Sequence, residues 1–494
     1  MFFMKKASNE KMKKEAKGST LEEVRNLFSR SQDLLIEPHF FKEKEIQIVY
    51  FDSLVDRHYL DQYIFPKLED VIGDSYTERI ESMFQAGDVT NQSMDEISST
   101  LFSGFVLFFI EDRILSIHAG NLPKRVPEES SLETSIRGPK DGFVEDLNTN
   151  ISLIRRRLFT PSLCVEKFKI GTRSRTDIAI MYLDDVIDNR VLNELYARLE
   201  KIDIDVLTGN QHLESLLDDN PYSIFTSFDY TGRPDFIVDS LNQGRFALIV
   251  DGFPTISLAP VNLLLQIKSP EDSSINYVYV SLERIIRMVG ILISAFLPGL
   301  WVAFSAYNIE QIPYLLVATI SMSRFGLPLS APVEMFIVLF LFEFFNEAGV
   351  RLPRAIGQTV SVLGGLIVGD AAIRAGMTSP TMLVIGAITY ISSFTLVNQS
   401  LKYGTTVLRF VVLLVSTFFG LFGVVMSFIL TILYFSTLSS FGTPYLGTVA
   451  PIGWKEAIRA FFRMPIQFYK QRTSSTSPDD QTRKGMDENG SQEH

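Results

Sequence analysis

The chain has 494 residues, of which 46% are hydrophobic and 21% charged, and a formal net charge of −11. An acidic balance of this size argues against nucleic acid as a partner, since such a surface repels phosphates instead of releasing their counterions. The one cysteine, Cys164, excludes an intramolecular disulfide and a cysteine-based metal site within one chain; its apolar run (SLCVEKF) reads as a strand.

The charge is unevenly distributed. Residues 1–284 hold 46 acidic and 32 basic side chains, and the remainder hold 11 and 14. A strongly acidic part therefore precedes a mildly basic one. Residues 1–18 read as a disordered basic tail without the apolar core of roughly 7–15 residues that marks a secretory signal. The acidic part is accordingly expected on the cytoplasmic side. Residues 19–125 read as a first α+β subdomain, with a strand at 46–51 (IQIVYF), a helix over 55–72, and a hairpin of 104–110 and 113–118 around Glu111-Asp112. A linker containing Pro123, Pro127 and Pro139 leads into a second subdomain, 126–284. It is expected to hold helices at 142–158, 191–202 and 235–242, strands at 165–170 and 178–182, and a hairpin of 246–250 and 256–258 around Asp251-Gly252. Such alternation predicts sheets with helices on one face. No internal repeat is visible.

From Ile285 the pattern changes. Met288–Ala306 and Val407–Leu438 are long, apolar and almost uncharged, and a bilayer core of about 30 Å needs about 20 such residues per helix. Residues 285–445 therefore read as a transmembrane helical domain with candidate spans at 285–307, 355–375, 381–400 and 406–438. Between the first two, 312–323 and 333–345 are joined by Arg324-Phe325-Gly326-Leu327-Pro328. They read either as two short spans or as a re-entrant hairpin, for six or four crossings. Arg284 and Arg287 before the first span, and Lys455, Arg459, Arg463, Lys470 and Arg472 after the last, place both ends in the cytoplasm. Residues 446–471, with Trp454, Ile458, Phe461 and Phe462, read as a juxtamembrane interfacial helix, and 472–494 as a disordered tail. The expected fold is an α+β cytoplasmic region of two subdomains followed by an α-helical transmembrane bundle of four to six spans.

No phosphate loop, H-E-x-x-H, G-x-G-x-x-G or G-x-S-x-G is present, and the five histidines lie outside the apolar segments. No enzyme activity, cofactor or metal site is expected. The signal lies in intramembrane charge: Glu334, Glu343, Glu347, Arg351, Asp370 and Arg374 sit within or at the ends of apolar segments, where ionisable groups mark pathways unless paired. Glu347 and Arg351, four apart, read equally well as a structural pair. In 356–373 the small residues Gly364, Gly365 and Gly369 allow close helix packing. The other reading of this helix is that it lines a symmetric pore. Thr359, Leu363, Leu366 and Asp370 share one face and would form a hydroxyl ring, two apolar rings and an acidic ring. Apolar constrictions gate by dewetting and acidic rings favour cations. Arg155-Arg156-Arg157 reads as a lipid-facing basic patch or as a solvated, acid-paired face.

The run Arg137-Gly138-Pro139-Lys140-Asp141-Gly142-Phe143-Val144-Glu145-Asp146, continuing through Asn148-Thr149-Asn150 to Leu153-Ile154-Arg155-Arg156-Arg157, resembles the signature of the GerA-family spore germination proteins. Gly232-Arg233-Pro234-Asp235, Asp251-Gly252, Glu347 to Pro353, Ile356-Gly357-Gln358-Thr359, Gly364-Gly365, Ser439 to Tyr445 and Arg463-Met464-Pro465 add to the resemblance, which covers about 130–470. The first 120 residues match in general character only. Three departures stand out: Asp370 where the family often has Gln, Gly232 where it tends to have Glu, and no second proline-rich stretch after Tyr445. The resemblance implies a membrane A subunit of a nutrient germinant receptor in the spore inner membrane, with both termini facing the spore core. Its implied partners are further copies of itself, a germinant-binding multi-span B subunit, a lipoprotein C subunit and membrane lipid. It also implies a nutrient-gated channel for monovalent cations, with the pore in the helix holding Thr359–Asp370. A pore-less scaffold, or a relative that amplifies ion or dipicolinate release without a nutrient of its own, are the other functions compatible with it.

Overall fold

The structure is a computed structural model that describes residues 21–41, 44–71, 80, 83–110, 113–120, 133, 135, 137–351, 368–447, 462–465, 467, 472 and 482. Contacts divide the chain into two compact units, one of 1–218, 230–260 and 469–494, the other of 219–229 and 261–468. Residues 261–284, expected with the soluble part, thus belong with the helices.

The first unit contains two lobes of the same topology. The first lobe runs α1 (Leu21–Leu27), β1 (Leu34–Phe41), β2 (Lys44–Phe51), a helical stretch α2 (57–71) with a π-turn at Leu60–Ile64, β3 (Gly87–Asp88), α3 (Met94–Phe102), β4 (Phe105–Ile110) and β5 (Arg113–His118). The second runs α4 (Leu147–Arg155), β6 (Leu163–Ile170), β7 (Thr176–Leu183), α5 (Asn189–Leu199), α6 (Asn210–Leu217), β8 (Asp229–Thr231), α7 (Pro234–Leu241), β9 (Phe246–Val250) and β10 (Ile256–Ala259). The sheet orders are β1-β2-β4-β5-β3 and β6-β7-β9-β10-β8, the same arrangement twice.

Helices were expected on one face of each sheet. The first sheet is covered on both. Ile46, Ile48 and Tyr50 pack with Leu60, Ile64 and Leu68 of α2. Val49, Phe51 and Leu107 pack with Val24 and Phe28 on the other side, together with Ile97 and Leu101 of α3. The reason is visible in β4 (FVLFFI), which is apolar on both faces and leaves neither for water. The helix expected from 142 starts at Leu147, where the Asp146 carboxylate accepts from Thr149 N (2.7 Å).

The lobes are joined by a buried charge. Arg155, 0% exposed, donates Nε to Asp33 Oδ2 (2.6 Å) and Nη2 to Asp33 Oδ1 (2.8 Å), with its guanidinium 4.3 Å from the centre of the Phe51 ring. Ser31 bridges Val165 alongside. Arg157 pairs with Asp141 at 2.5 Å, so two of the three consecutive arginines are acid-paired.

The second unit contains α8 (Leu263–Ile267), α9 (Tyr277–Ala306), α10 (Tyr314–Arg324), α11 (Ala331–Arg351), α12 (Gly369–Arg374), α13 (Pro380–Ser393), α14 (Gln399–Thr437) and a two-strand ribbon, β11 (Ser439–Ser440) with β12 (Thr443–Pro444). Among the described residues two helices are long and apolar enough to cross a membrane, α9 and α14. The expected single span at 406–438 is instead a hairpin. Gly420 has φ 56° and ψ −137°, outside the helical region. Leu401 and Leu438 join one apolar cluster around Phe225, although a straight helix would hold them about 55 Å apart. A Cβ on Gly420 would stand 3.1 Å from the Tyr307 side chain, so both its φ and its space require glycine.

Contacts along α9 give the direction of every neighbour. Met288 and Ile291 lie beside Leu401, Tyr434 and Phe435 at the end near Phe225. Ser294 meets Arg409, Gly299 meets Val412 and Ser416, and Tyr307 meets Gly420. The first arm of α14 therefore runs with α9, and the second returns. At the Tyr307 end, Val302 packs with Ala331, Met335 and Met382. From there α11 and α13 both run back toward the Phe225 end, where Tyr390 packs with Phe394 and Lys402 lies over that ring.

Candidate functional site

The helical unit is inverted relative to a water-soluble core. On α14 the buried positions include Gly404, Thr405, Ser416, Gly420, Gly423 and Ser427, while Leu414, Phe418, Phe422, Leu430 and Leu433 are exposed. On α9, Gly290, Ser294, Ala295, Gly299 and Ala303 are buried, and Leu282, Ile286, Val289 and Leu292 are exposed. Small and hydroxyl residues inside with large apolar residues outside is the arrangement of helices packing in hydrocarbon, where association rests on close backbone approach. A Cβ on Gly386 of α13 would come within 2.5 Å of Val338 of α11, so that crossing has no room for any side chain.

Charged groups within this unit form the candidate site. Glu334, in the first turn of α11, is 0% exposed. Its Oε1 accepts from the Ser379 backbone N–H (2.5 Å), the Ser379 hydroxyl (2.6 Å) and the Thr378 hydroxyl (3.2 Å). Its Oε2 lies 3.7 Å from Arg324 Nε. Glu343 is half-buried two and a half turns further on and accepts from Asn346 Nδ2 at 3.4 Å. Arg409 is 1% exposed and donates to Ser294 O and Ser294 Oγ, each at 2.8 Å. Among the described residues no carboxylate lies within 4.0 Å of it.

The remaining residues singled out from the sequence fall differently. Glu347 and Arg351 form an exposed i, i+4 pair at 2.5 Å, and Asp370 and Arg374 another at 2.8 Å. Gly369 is buried against Leu383 of α13, whose Cδ2 a Cβ would approach to 3.1 Å. Thr359, Leu363, Gly364, Gly365 and Leu366 lie outside the described residues, as does most of the interfacial stretch 446–471. Arg284 and Arg287, read as positive flanks of the first span, are buried on Asp272 at 3.0 and 2.9 Å. The carboxylate offsets much of the charge they would show to a headgroup. No group of three or more His, Cys, Asp and Glu suited to a metal occurs among the described residues.

Sequence reasoning passed over Arg409 and Lys402. The signal was present: Arg409 is the one charge inside the apolar stretch 407–438, and such a residue marks a site by default. The quoted family motifs, by contrast, build backbone. Asn150 clamps Val144 through both its amide groups (2.8 and 2.6 Å), and Asp251 Oδ1 accepts from Leu147 N (3.1 Å). Ser440 joins Ser227 and Val261, and Tyr445 donates to Gln266 (2.5 Å).

Comparison with known proteins agrees with this picture. A family model described as Bacillus/Clostridium GerA spore germination protein matches residues 22–475. The chain is 40% identical to spore germination protein XA of Bacillus anthracis over 446 residues, 89% of this chain and 91% of that one. It is 34% identical to spore germination protein KA of Bacillus subtilis (strain 168), covering 94% of this chain and 88% of that one. Uncharacterized membrane protein YfkQ of the same strain is 34% identical, with 85% and 83% covered. The crystal structure of the N-terminal domain of the A subunit of the Bacillus megaterium spore germinant receptor GerK3 aligns with 49% of this chain and 92% of that one, at 26% identity and a TM-score of 0.37. The relatives and the inverted apolar helices together indicate a membrane protein.

Proposed function

The chain belongs to the GerA family of spore germination proteins, and on that premise we propose that it is the A subunit of a spore germinant receptor and forms, with further copies of itself, a nutrient-gated path for monovalent cations. Family membership across residues 22–475 carries the receptor assignment. The conducting role rests on the face of Thr359, Leu363, Leu366 and Asp370, which would give a symmetric ring of copies two apolar constrictions and an acidic mouth. A germinant-binding B subunit and a lipoprotein C subunit are its proposed partners, and the spore inner membrane its site, with both termini on the core side. The hairpin in α14 supports an even number of crossings. Helices α9 and α11 and the two arms of α14 run in alternating directions, which fits such a count. At 11 residues, α10 spans only about 16 Å and does not cross.

Taking such a path from mostly closed to mostly open requires about 5.5 kcal/mol of differential binding, which favours several linked subunits over a single nutrient contact. Potassium release from spores carrying Leu366→Ala, without germinant, tests the reading. Spontaneous release is expected, and tight spores with a normal nutrient response would remove the gate from this face. A second reading is a family relative that amplifies release without its own nutrient. Spores lacking this chain would then lose the rate of release and keep its nutrient threshold.

A further inference from the structure

One buried carboxylate holds three helix ends in the second unit. Glu334 lies in the first turn of α11. Ser379, which gives it two hydrogen bonds, is the N-cap of α13, its hydroxyl accepting from Met382 N at 3.3 Å. Arg324 is the last residue of α10. The carboxylate therefore sits against the positive ends of two helices and faces a guanidinium. Its two sides differ. Oε1 takes three hydrogen bonds from the Thr378-Ser379 turn. Oε2 and Arg324 Nε are both buried without a hydrogen bond, 3.7 Å apart, so the link from this carboxylate to α10 is charge attraction, beside the burial of Ile320 and the contact of Ser323 with Thr381.

What this anchor secures is the end of α12. That helix closes with Gly376 N donating to Ile373 O (3.0 Å) and Met377 N to Ala372 O (2.9 Å), with Gly376 at φ +67°. This is the paired 5→2 and 6→1 closure of a glycine-terminated helix. Thr378 and Ser379 follow at once. The C-terminal end of α12 is thus tied to α11 through Glu334.

We propose that Glu334 is a positioning residue whose negative charge moors the C-terminal end of α12 to α10, α11 and α13 and so sets the resting position of that helix, which carries Asp370. The inference rests on the reading of Asp370 as part of the conducting face. Shape alone does not provide the mooring: an uncharged side chain of the same size keeps the packing but loses the pull on Arg324 and weakens all three hydrogen bonds.

The test uses the full-length chain. In detergent, trypsin cleavage after Arg324 reports release of that side chain from Glu334. Glu334→Gln is expected to speed it by about tenfold or more, the equivalent of losing one hydrogen bond to a charged group. Glu334→Ala should do so further, and millimolar formate, a carboxylate small enough for the vacated site, should slow the Ala variant again without affecting Gln. Unchanged cleavage in Gln, or no formate response in a folded Ala variant, overturns the mooring. Spores carrying Glu334→Gln in the intact receptor separate this from the conducting role. Raised potassium release without germinant supports both. Faster, formate-sensitive cleavage with tight spores upholds the mooring and removes the conducting face from this helix.

Discussion

The two units obey the same physical rule in opposite solvents. In the first, Tyr50, Phe51, Phe108 and Tyr182 are among the most deeply buried side chains, and the buried Arg155 is matched by Asp33. In the second, α9 and α14 bury glycine, serine and alanine and expose leucine and phenylalanine. Burial of large apolar groups drives a fold only where water is the alternative. In hydrocarbon that drive vanishes, and small residues that let backbones approach take over. Even buried arginine follows the difference. Arg155 is met by a carboxylate, whereas Arg409 is met by a carbonyl and a hydroxyl of Ser294.

Substitutions can break this contrast. The largest effect is expected from Arg155→Ala, which leaves Asp33 buried without its partner and should cost about 3–5 kcal/mol. Cys164 provides the readout. It is the only cysteine, on β6 beside the bridged Val165, and burial pushes its thiol up to about 12. It should resist alkylation at neutral pH in the native chain and react rapidly in the variant; equal rates would mean that Arg155 does not hold the lobes together. Next comes Leu430→Arg, on the exposed face of the second arm of α14. A charge at mid-membrane depth costs about 2.5–3.5 kcal/mol, so recovery of the chain in the membrane fraction should fall. Phe159→Arg, at an exposed site of the first unit, should stay within about 0.5 kcal/mol. If the two variants behave alike, the exposed face of α14 does not meet lipid.

Gly420→Ala should cost about 1–3 kcal/mol through its positive φ, and more where the new Cβ meets Tyr307. A lowered melting temperature in detergent checks this, and an unchanged one would argue for a continuous helix. The smallest effect is a pH dependence in the first unit. Glu214 of α6 is buried, donated to by Ser257 Oγ at 2.5 Å, and desolvation pushes its carboxyl from 4.5 up to about 6. The folded state holds this proton more tightly than the unfolded state. Its contribution is therefore fully present below pH 4.5 and is lost as pH rises through about 6. Glu214→Gln should remove that loss and gain about 1–2 kcal/mol at pH 7. A pH-independent difference between the two proteins would place the cause elsewhere.

Much of the first unit could be read directly. The strands at 105–110, 113–118 and 246–250 stand where apolar runs and turn residues put them, because strand pairing writes itself locally into side-chain type. The duplication of the lobes could not be read. Both halves share a strand order, which the hydrogen-bonded ladders reveal. In the second unit the apolar stretches were plain, but their direction was not. A turn inside hydrocarbon needs no polar marker, and Gly420 is one glycine among several in α14.

The sequence by itself determined that an acidic α+β part precedes an apolar helical one, that the chain carries the GerA motifs, and which charges lie among apolar residues. Those are properties of composition and local spacing. Tertiary structure decided which charges matter to one another. Glu347 and Asp370 turn outward onto neighbours on their own helices, while Glu334 gathers groups from 10 residues before it and 45 after it. A carboxylate's surroundings depend on which helix ends meet around it, and that meeting is set by contacts distant in sequence.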